Sequence, residues 1–266
     1  MRLRPFAFAL AVLSCIFASP ASAQQTPTAV TRDPQAVSIL VQSLSTAGGM
    51  SAVTAIQDFT GTGNITYNWA GTSVEAQATV RGMGTQCFRS DSSLPAGTRT
   101  WAVSGLSAVL INADGTRQPS SSYNLANAGS LTLPYVRVAS ILADTTTSIA
   151  YLGTVATATG QSYDIHFAPN LFGSNPVPPG ISGVGAFDLF IDSTSYLVVE
   201  LLETVHSDST FQQTYLHEVD FSSYQRAGGI FAPMAIAEKV GGQQTWSIQL
   251  SSISFNSGLT PETFTP

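Results

Sequence analysis

From Asp58 onward the sequence changes period, and no other feature limits the fold so strongly. In DFTGTGNITYNW, residues Phe59, Gly61, Gly63, Ile65, Tyr67 and Trp69 share one parity, while Thr60, Thr62, Asn64, Thr66 and Asn68 share the other. Successive side chains of a strand point to opposite faces, so the segment reads as a strand with one apolar and one polar face. A turn around Gly71 leads to SVEAQATVR, where Val74, Ala76, Ala78 and Val80 oppose Glu75, Gln77, Thr79 and Arg81. Further strands are predicted near 85–91, 98–104, 107–112, 148–156, 160–168, 186–192, 196–205, 212–221, 229–240 and 243–256. About a dozen strands with hairpin-length connections imply one large antiparallel sheet, and a sheet that long curls.

Two helices interrupt the pattern. Asp33 is placed to cap and Pro34 to fill the first turn, with Val37, Leu40, Val41 and Leu44 on one face and Gly48-Gly49 as the stop. A short turn over 51–56 comes next. PYVRVASILAD, opened by Pro134, gives the second helix, whose buried stripe is Val138, Ile141 and Leu142. The predicted fold is mainly β (α+β): an incomplete, strongly curved antiparallel barrel with helices on its concave face. It spans 33–266 as one domain, after a flexible leader at 24–32, and contains one long loop from Pro169 to Gly185.

The segment YQRAGGIFAPMAIAEKVGGQQTWSIQL adds detail. Gly241-Gly242 suits a two-residue turn with positive φ, whereas Pro233 removes a ladder donor, which places this strand at the rim of an unclosed barrel. The apolar phase of Trp246, Ile248 and Leu250 shifts by one before Ile253 and Phe255, which predicts a bulge at Ser251-Ser252.

Residues 1–23 read as a cleavable signal peptide: Arg2 and Arg4, an apolar run from Phe6 to Phe17, then ASPASA. The expected location is therefore the periplasm or the exterior, with no transmembrane anchor. An alternative reads VLSC as a lipidation box with Cys15 acylated. Loss of Cys15 leaves Cys87 alone, expected as a small buried hydrophobic residue of a strand. Ten basic against sixteen acidic residues give a net charge of −6, and removing Arg2 and Arg4 lowers it by two more. Without a basic stripe, nucleic acid is excluded as a partner.

Catalytic signatures are sparse. His166, His206 and His217 have no two-histidine metal spacing, and no metal or cofactor is expected. His217 shares a strand face with Tyr215, Val219 and Phe221 and reads as a hydrogen-bonded core histidine. Asp188/Asp192 and Glu218/Asp220 fall opposite the aromatic residues, on solvent-facing positions. No nucleophile elbow surrounds Ser182. The recurrent feature is instead an aromatic interior, which either packs solid or encloses a ligand.

The order of elements resembles the LolA-type periplasmic lipoprotein carriers and the mycobacterial lipoprotein carriers of similar fold. The likeness rests on ATVRGMGTQCFRSD, GSLTLPYVRVASILAD, FDLFIDSTSYLVVELLE, FSSYQRAGGIFAPMAI and ISFNSGLTPETF. It implies a non-catalytic carrier for a lipid, a lipoprotein acyl chain or another apolar ligand. The implied cavity is lined by Ile65, Tyr67, Trp69, Phe88, Trp101, Val103, Phe187, Trp246 and Ile248. The implied lid carries Leu40, Leu44, Pro134, Val138 and Leu142, and Arg81 stands where the carriers hold a lid-closing arginine, although Gly82 follows it where they commonly have proline. The rival expectation is an envelope module with a solid core that docks a protein partner at its rim strand.

Overall fold

The computed structural model describes residues 29–69, 71–121, 124–125, 133–171, 173, 175 and 183–265. The expected signal peptide at 1–23, Cys15, the first part of the leader and most of the loop at 169–185 lie outside them.

The described residues form three α-helices and fifteen strands. Helices α1 (Pro34–Ala47) and α2 (Met50–Thr54) precede β1 (Asp58–Trp69), β2 (Thr72–Met83), β3 (Cys87–Leu94), β4 (Gly97–Ser104), β5 (Ser107–Ile111) and β6 (Arg117–Pro119). After α3 (Pro134–Ala143) come β7 (Thr147–Thr157), β8 (Gly160–Pro169), β9 (Phe187–Asp192), β10 (Val198–Ser207) and β11 (Thr210–Ser222). Strands β12 (Gln225–Ala227), β13 (Ile230–Ala232), β14 (Ala235–Val240) and β15 (Gln243–Phe255) lead to a closing 3-10 turn, Pro261–Phe264.

Thirteen strands make one sheet in the order β6-β5-β4-β3-β2-β1-β15-β14-β11-β10-β9-β8-β7, and β12 and β13 form a separate ribbon. All the sheet pairings are antiparallel, and β6 and β7 remain as edges. The sheet is thus an incomplete curved barrel with helices packed on it. The predicted alternation holds on β1, where Phe59, Gly61, Gly63, Ile65 and Tyr67 are buried while Thr62 and Asn64 are exposed.

The pairing of β1 with β15 joins the two halves of the sheet. Its register runs Thr62↔Ser252 and then Gly63↔Leu250, so Ser251 is the extra residue of the predicted bulge. Glycine is required opposite it, because a Cβ on Gly63 would lie 2.1 Å from the Gln249 carbonyl oxygen. The predicted turn at Gly241-Gly242 also forms, with φ of 59° and 76°.

Asp33 caps α1 by accepting from the N–H groups of Gln35 (2.7 Å) and Ala36 (3.2 Å), and Gly48 ends it at φ 130°. The buried stripe is Ala36, Ile39, Leu40, Ser43, Leu44 and Ala47, while Val41 is 49% exposed. Val41 does not belong to the buried face, because residues of β7, β13 and α3 pack around the line through Leu40 and Leu44. In α3, Val138 and Ile141 are buried, and Leu142 packs against the core half-buried.

Three expectations change. The segment 229–240 is two strands, with Pro233 in the break, so its missing N–H costs no ladder bond. β14 is accordingly central, paired with β11 and β15, and is not a rim strand. Residues 31 and 32, the end of the expected flexible leader, are docked together with Asp33: Ile149 N–H donates to Thr31 O at 2.8 Å and Asp33 N–H to Ile149 O at 2.9 Å. Arg32 caps α3 from the same segment, its guanidinium donating to the carbonyls of Asp144 (2.7 Å), Ile141 and Leu142 (both 3.3 Å).

The chain end is fixed by Asp58, which is buried and accepts from Ser257 N–H and Oγ–H, Gly258 N–H and Leu259 N–H at 2.7–3.1 Å. Burial alone would raise its carboxyl pKa, but these bonds hold it below the ordinary range. Phe264 beyond it is fully buried, in the 3-10 turn that packs on β3 and β4. Replacing Gly63 with Ala forces the β1–β15 backbones apart and is expected to cost about 3 kcal/mol, at the top of the over-packing range, read as a lower urea midpoint with unchanged slope.

Candidate ligand cavity

The inward parities of β1 to β5, β14 and β15 converge on a cavity of about 530 Å3. All three tryptophans of the chain, Trp69, Trp101 and Trp246, line it, together with Ile65, Tyr67 and Phe88. These are six of the nine residues anticipated for a cavity. Ile248 lies behind it, in a crevice of about 20 Å3 with Phe88 and Trp246, enough for no more than a water. Val103 is fully buried in the core. Phe187 is on the opposite half of the sheet, stacked on Phe167 with ring centroids 4.7 Å apart.

The helices occupy that other half. Leu40, Leu44, Pro134 and Val138 are buried and Leu142 is half-buried, and no residue of α1 or α3 lines the cavity. The helices therefore fill one end of the concave face, and the open volume lies beside them. Across its mouth, Ser121 donates through N–H and Oγ–H to Asp208 Oδ1 (2.9 Å) and O (3.1 Å), while Asn124 exchanges hydrogen bonds with the His206 backbone. These bonds tie the chain after edge strand β6 to the β10–β11 turn.

Arg81 does not touch the helices. Val80 points inward, so Arg81 points outward, where its Nη1 lies 2.7 Å from Asp91 Oδ2. Arg89 shares the same carboxylate at 2.8 Å and reaches the Thr263 carbonyl at 3.2 Å. This cluster fastens the closing 3-10 turn to the outer face. The arginine that holds α3 from the leader is Arg32.

The polar part of the lining is organised around two groups. Tyr67 is fixed by a 2.8 Å hydrogen bond between its hydroxyl and Ser92 Oγ, and it stacks on Trp69 at 5.0 Å. Arg99, on β4 two residues before Trp101, lies over both rings, 4.5 Å from the Tyr67 centroid and 5.6 Å from that of Trp69. Glu238 lines the opposite wall. Its Oε1 is 3.0 Å from His217 Nε2, its Oε2 accepts from Thr245 Oγ1, and the Trp246 side chain bonds it as well.

From Glu238 a buried ionic chain runs across the neighbouring strands β14, β11 and β10. His217 Nδ1 is 2.7 Å from Glu203 Oε1, and the charge of Glu203 supports Arg137 of α3, whose guanidinium lies 4.3 Å over the Phe187 ring. With a carboxylate on each nitrogen, the imidazole is held as the doubly protonated cation. Burial alone would lower its pKa, yet the two carboxylates raise it to about 10. His217 is thus the hydrogen-bonded interior histidine anticipated. Glu203, Glu238, Arg137 and Arg99 were not anticipated; the one available signal was acidic or basic residues at inward parity, as in Ile236, Glu238, Val240.

The acids expected at solvent-facing positions are half-buried and engaged, and Asp188 and Asp192 share their strand parity with the buried Phe190. Lys239 Nζ is 2.8 Å from Asp220 and 3.3 Å from Glu218, and His166 pairs with Asp188 at 2.6 Å. Asp192 caps the β9–β10 turn through Ser195 N–H at 2.7 Å. Cys87 is a free thiol, half-buried where full burial was expected, and among the described residues no group of three or more His, Cys, Asp or Glu side chains is placed to hold a metal ion.

A histidine whose folded pKa is raised stabilises fully below its unfolded value of 6.5, and that contribution is lost as pH rises through about 10. His217→Gln removes the charge at every pH. The stability difference between wild type and His217→Gln, from urea midpoints, is therefore expected to be largest near neutrality and to shrink steadily toward pH 10.

No protein-family profile and no curated protein sequence matches the chain. Solved structures do. A crystal structure of an outer membrane lipoprotein-sorting protein domain from Vibrio parahaemolyticus superposes with a TM-score of 0.53 at 12% identity, covering 86% of this chain and 96% of that one. A DUF1329 family protein from Desulfovibrio piger gives 0.55 at 12% identity over 89% and 98%. A LolA superfamily protein from Nitrosomonas europaea gives 0.51 at 13% identity over 90% and 99%. The strand order, the open edges and the packed helices, together with these superpositions, show that the chain has the LolA-like fold.

Proposed function

We propose that the protein is a non-catalytic binding or carrier protein for an acyl-chain ligand, a lipid or an acylated protein, working in an exported compartment. The observation that carries this reading is the convergence of all three tryptophans on one cavity of about 530 Å3. That volume lies within the roughly 300–1,000 Å3 of small-ligand pockets. An ordinary core of this size would close such a space, because each unfilled volume forfeits packing contacts. Lipoprotein sorting, the role named for the Vibrio structure, is of the same kind.

The energetics suit a carrier. Burying a sixteen-carbon chain is worth on the order of 12 kcal/mol against water, at about 0.8 per methylene, but a membrane gives the same benefit. Exchange between membrane and cavity is then near balance, and loading needs no chemical step. His217, whose partner Glu238 lines the cavity, has each nitrogen bonded to a carboxylate and neither to a nucleophile, which supports a non-catalytic role. A solid docking module is less favoured, since the interior is not solid and β14, the strand that module would use, already has a partner on each side.

Ser90 supplies the test. It lines the cavity, is buried, and its Oγ has no hydrogen-bond partner among the described residues. Ser90→Phe places a ring in the open volume. Native mass spectrometry after mild extraction is expected to show lipid on the wild-type protein and several-fold less on Ser90→Phe, with thermal unfolding of the two alike. Equal lipid on both proteins, or none on the wild type, would remove the carrier reading.

A further inference from the structure

The walls of the cavity account for an acyl tail but not for Arg99. Three observations set this residue apart. First, of the described residues that line the cavity it is the basic one; the acids there, Asp208 and Glu238, already accept hydrogen bonds from Ser121 and Asn124, and from His217 and Thr245. Second, Arg99 also lines a neighbouring apolar groove of about 380 Å3, shared with Trp69, Leu94 and Pro95, so it stands where the two spaces meet. Third, its recorded contacts among the described residues are with the faces of Tyr67 and Trp69.

A cation over an aromatic ring is held by the ring's quadrupole, and that contact uses none of the five guanidinium N–H donors. Tyr67 is itself locked by Ser92, which pairs with Arg99 across β3 and β4. The cation is thus positioned before any ligand arrives, with its hydrogen-bonding capacity unspent.

We infer that Arg99 is the headgroup site of the cavity and that the ligand is an anionic amphiphile, with a carboxylate or phosphate at one end of its acyl chain. The planar guanidinium takes two oxygens of such a group in parallel, at the junction of cavity and groove, while the tail lies against Trp101 and Trp246. This inference rests on the carrier reading, and it selects within it: neutral and cationic chains of equal length gain the apolar burial but not the charge-assisted hydrogen bonds.

Titration of the delipidated chain, followed by tryptophan fluorescence, tests it with four probes: tetradecanoate at a pH where it is ionised, tetradecanol, tetradecyltrimethylammonium and inorganic phosphate. The expected order is tetradecanoate tightest, by roughly tenfold over tetradecanol, then the ammonium, with inorganic phosphate neither binding nor competing. Arg99→Gln is expected to remove the tenfold preference and leave tetradecanol within about twofold of wild type, while Arg99→Lys retains part of it. If tetradecanol and tetradecanoate bind the wild-type protein alike, the headgroup assignment falls and the carrier reading stands. Competition by inorganic phosphate as strong as by tetradecanoate would make Arg99 a simple anion site and overturn the amphiphile. If no chain binds, both readings fall. The wild-type comparison decides the matter even if Arg99→Gln does not fold.

Discussion

The pairing of β1 with β15 is what every other feature depends on. Strands β2 to β6 follow one side of it and β14 to β7 the other, so a single ladder joins the first strand of the sheet to the last. A two-period sequence leaves such a ladder one main freedom, a slip by one residue, which would turn Ile65, Tyr67 and Trp69 outward together. The bulge at Ser251 and the bare backbone of Gly63 pin the register, and Asp58 holds the chain end that follows β15. The cavity is therefore a consequence of register: its tryptophans come from β1, β4 and β15.

The interior is asymmetric in how it is filled. At the end beneath α1 and α3, apolar side chains pack to full burial around the charged series Arg137, Glu203, His217 and Glu238, each facing its counterpart. Those partners come from α3 and from β10, β11 and β14, three neighbouring strands of the sheet, so the ionic chain fastens a helix to one stretch of wall. A buried pair of this kind gives little net stability compared with apolar residues of the same volume. What it does do is end the filled region at a fixed wall, with Glu238 facing the cavity and its carboxylate already satisfied.

Much of this was legible in the sequence, and the parts that were not share a cause. Alternation along β1 and β2, the Asp33 cap, the Gly241-Gly242 turn and the phase slip at Ser251 are local, and each residue carries its own sign. The true face of α1 was obscured because small residues, Ala36 and Ala47, and a polar one, Ser43, lie on it, while Val41 gives a misleading apolar signal. Pro233 misled in the opposite way: a proline excludes itself from a ladder but does not tell whether the strand lies at an edge or simply breaks. Arg81 was assigned by likeness to a lid, although its alternation with Val80 already put it outside. Phe187 and Trp101 are equivalent in sequence, aromatic and inward, yet only strand order places one under a helix and the other in open space. Glu238 and Arg99 showed only as charged residues at inward parity, because the side chains that give each of them meaning arrive from other strands.

The docking of residues 31–33 on β7 has a further consequence. An open sheet presents at each edge a row of unused N–H and C=O groups, and a long flat edge recruits a second copy and then a third. Here the first turn of β7 is occupied by the chain's own Arg32, and farther along the strand is broken by a bulge between Tyr151 and Gly153, with Leu152 58% exposed at its crest. The opposite edge, β6, is three residues long. A barrel left unclosed to keep its hollow reachable is by this arrangement denied the uninterrupted borders from which fibrils grow.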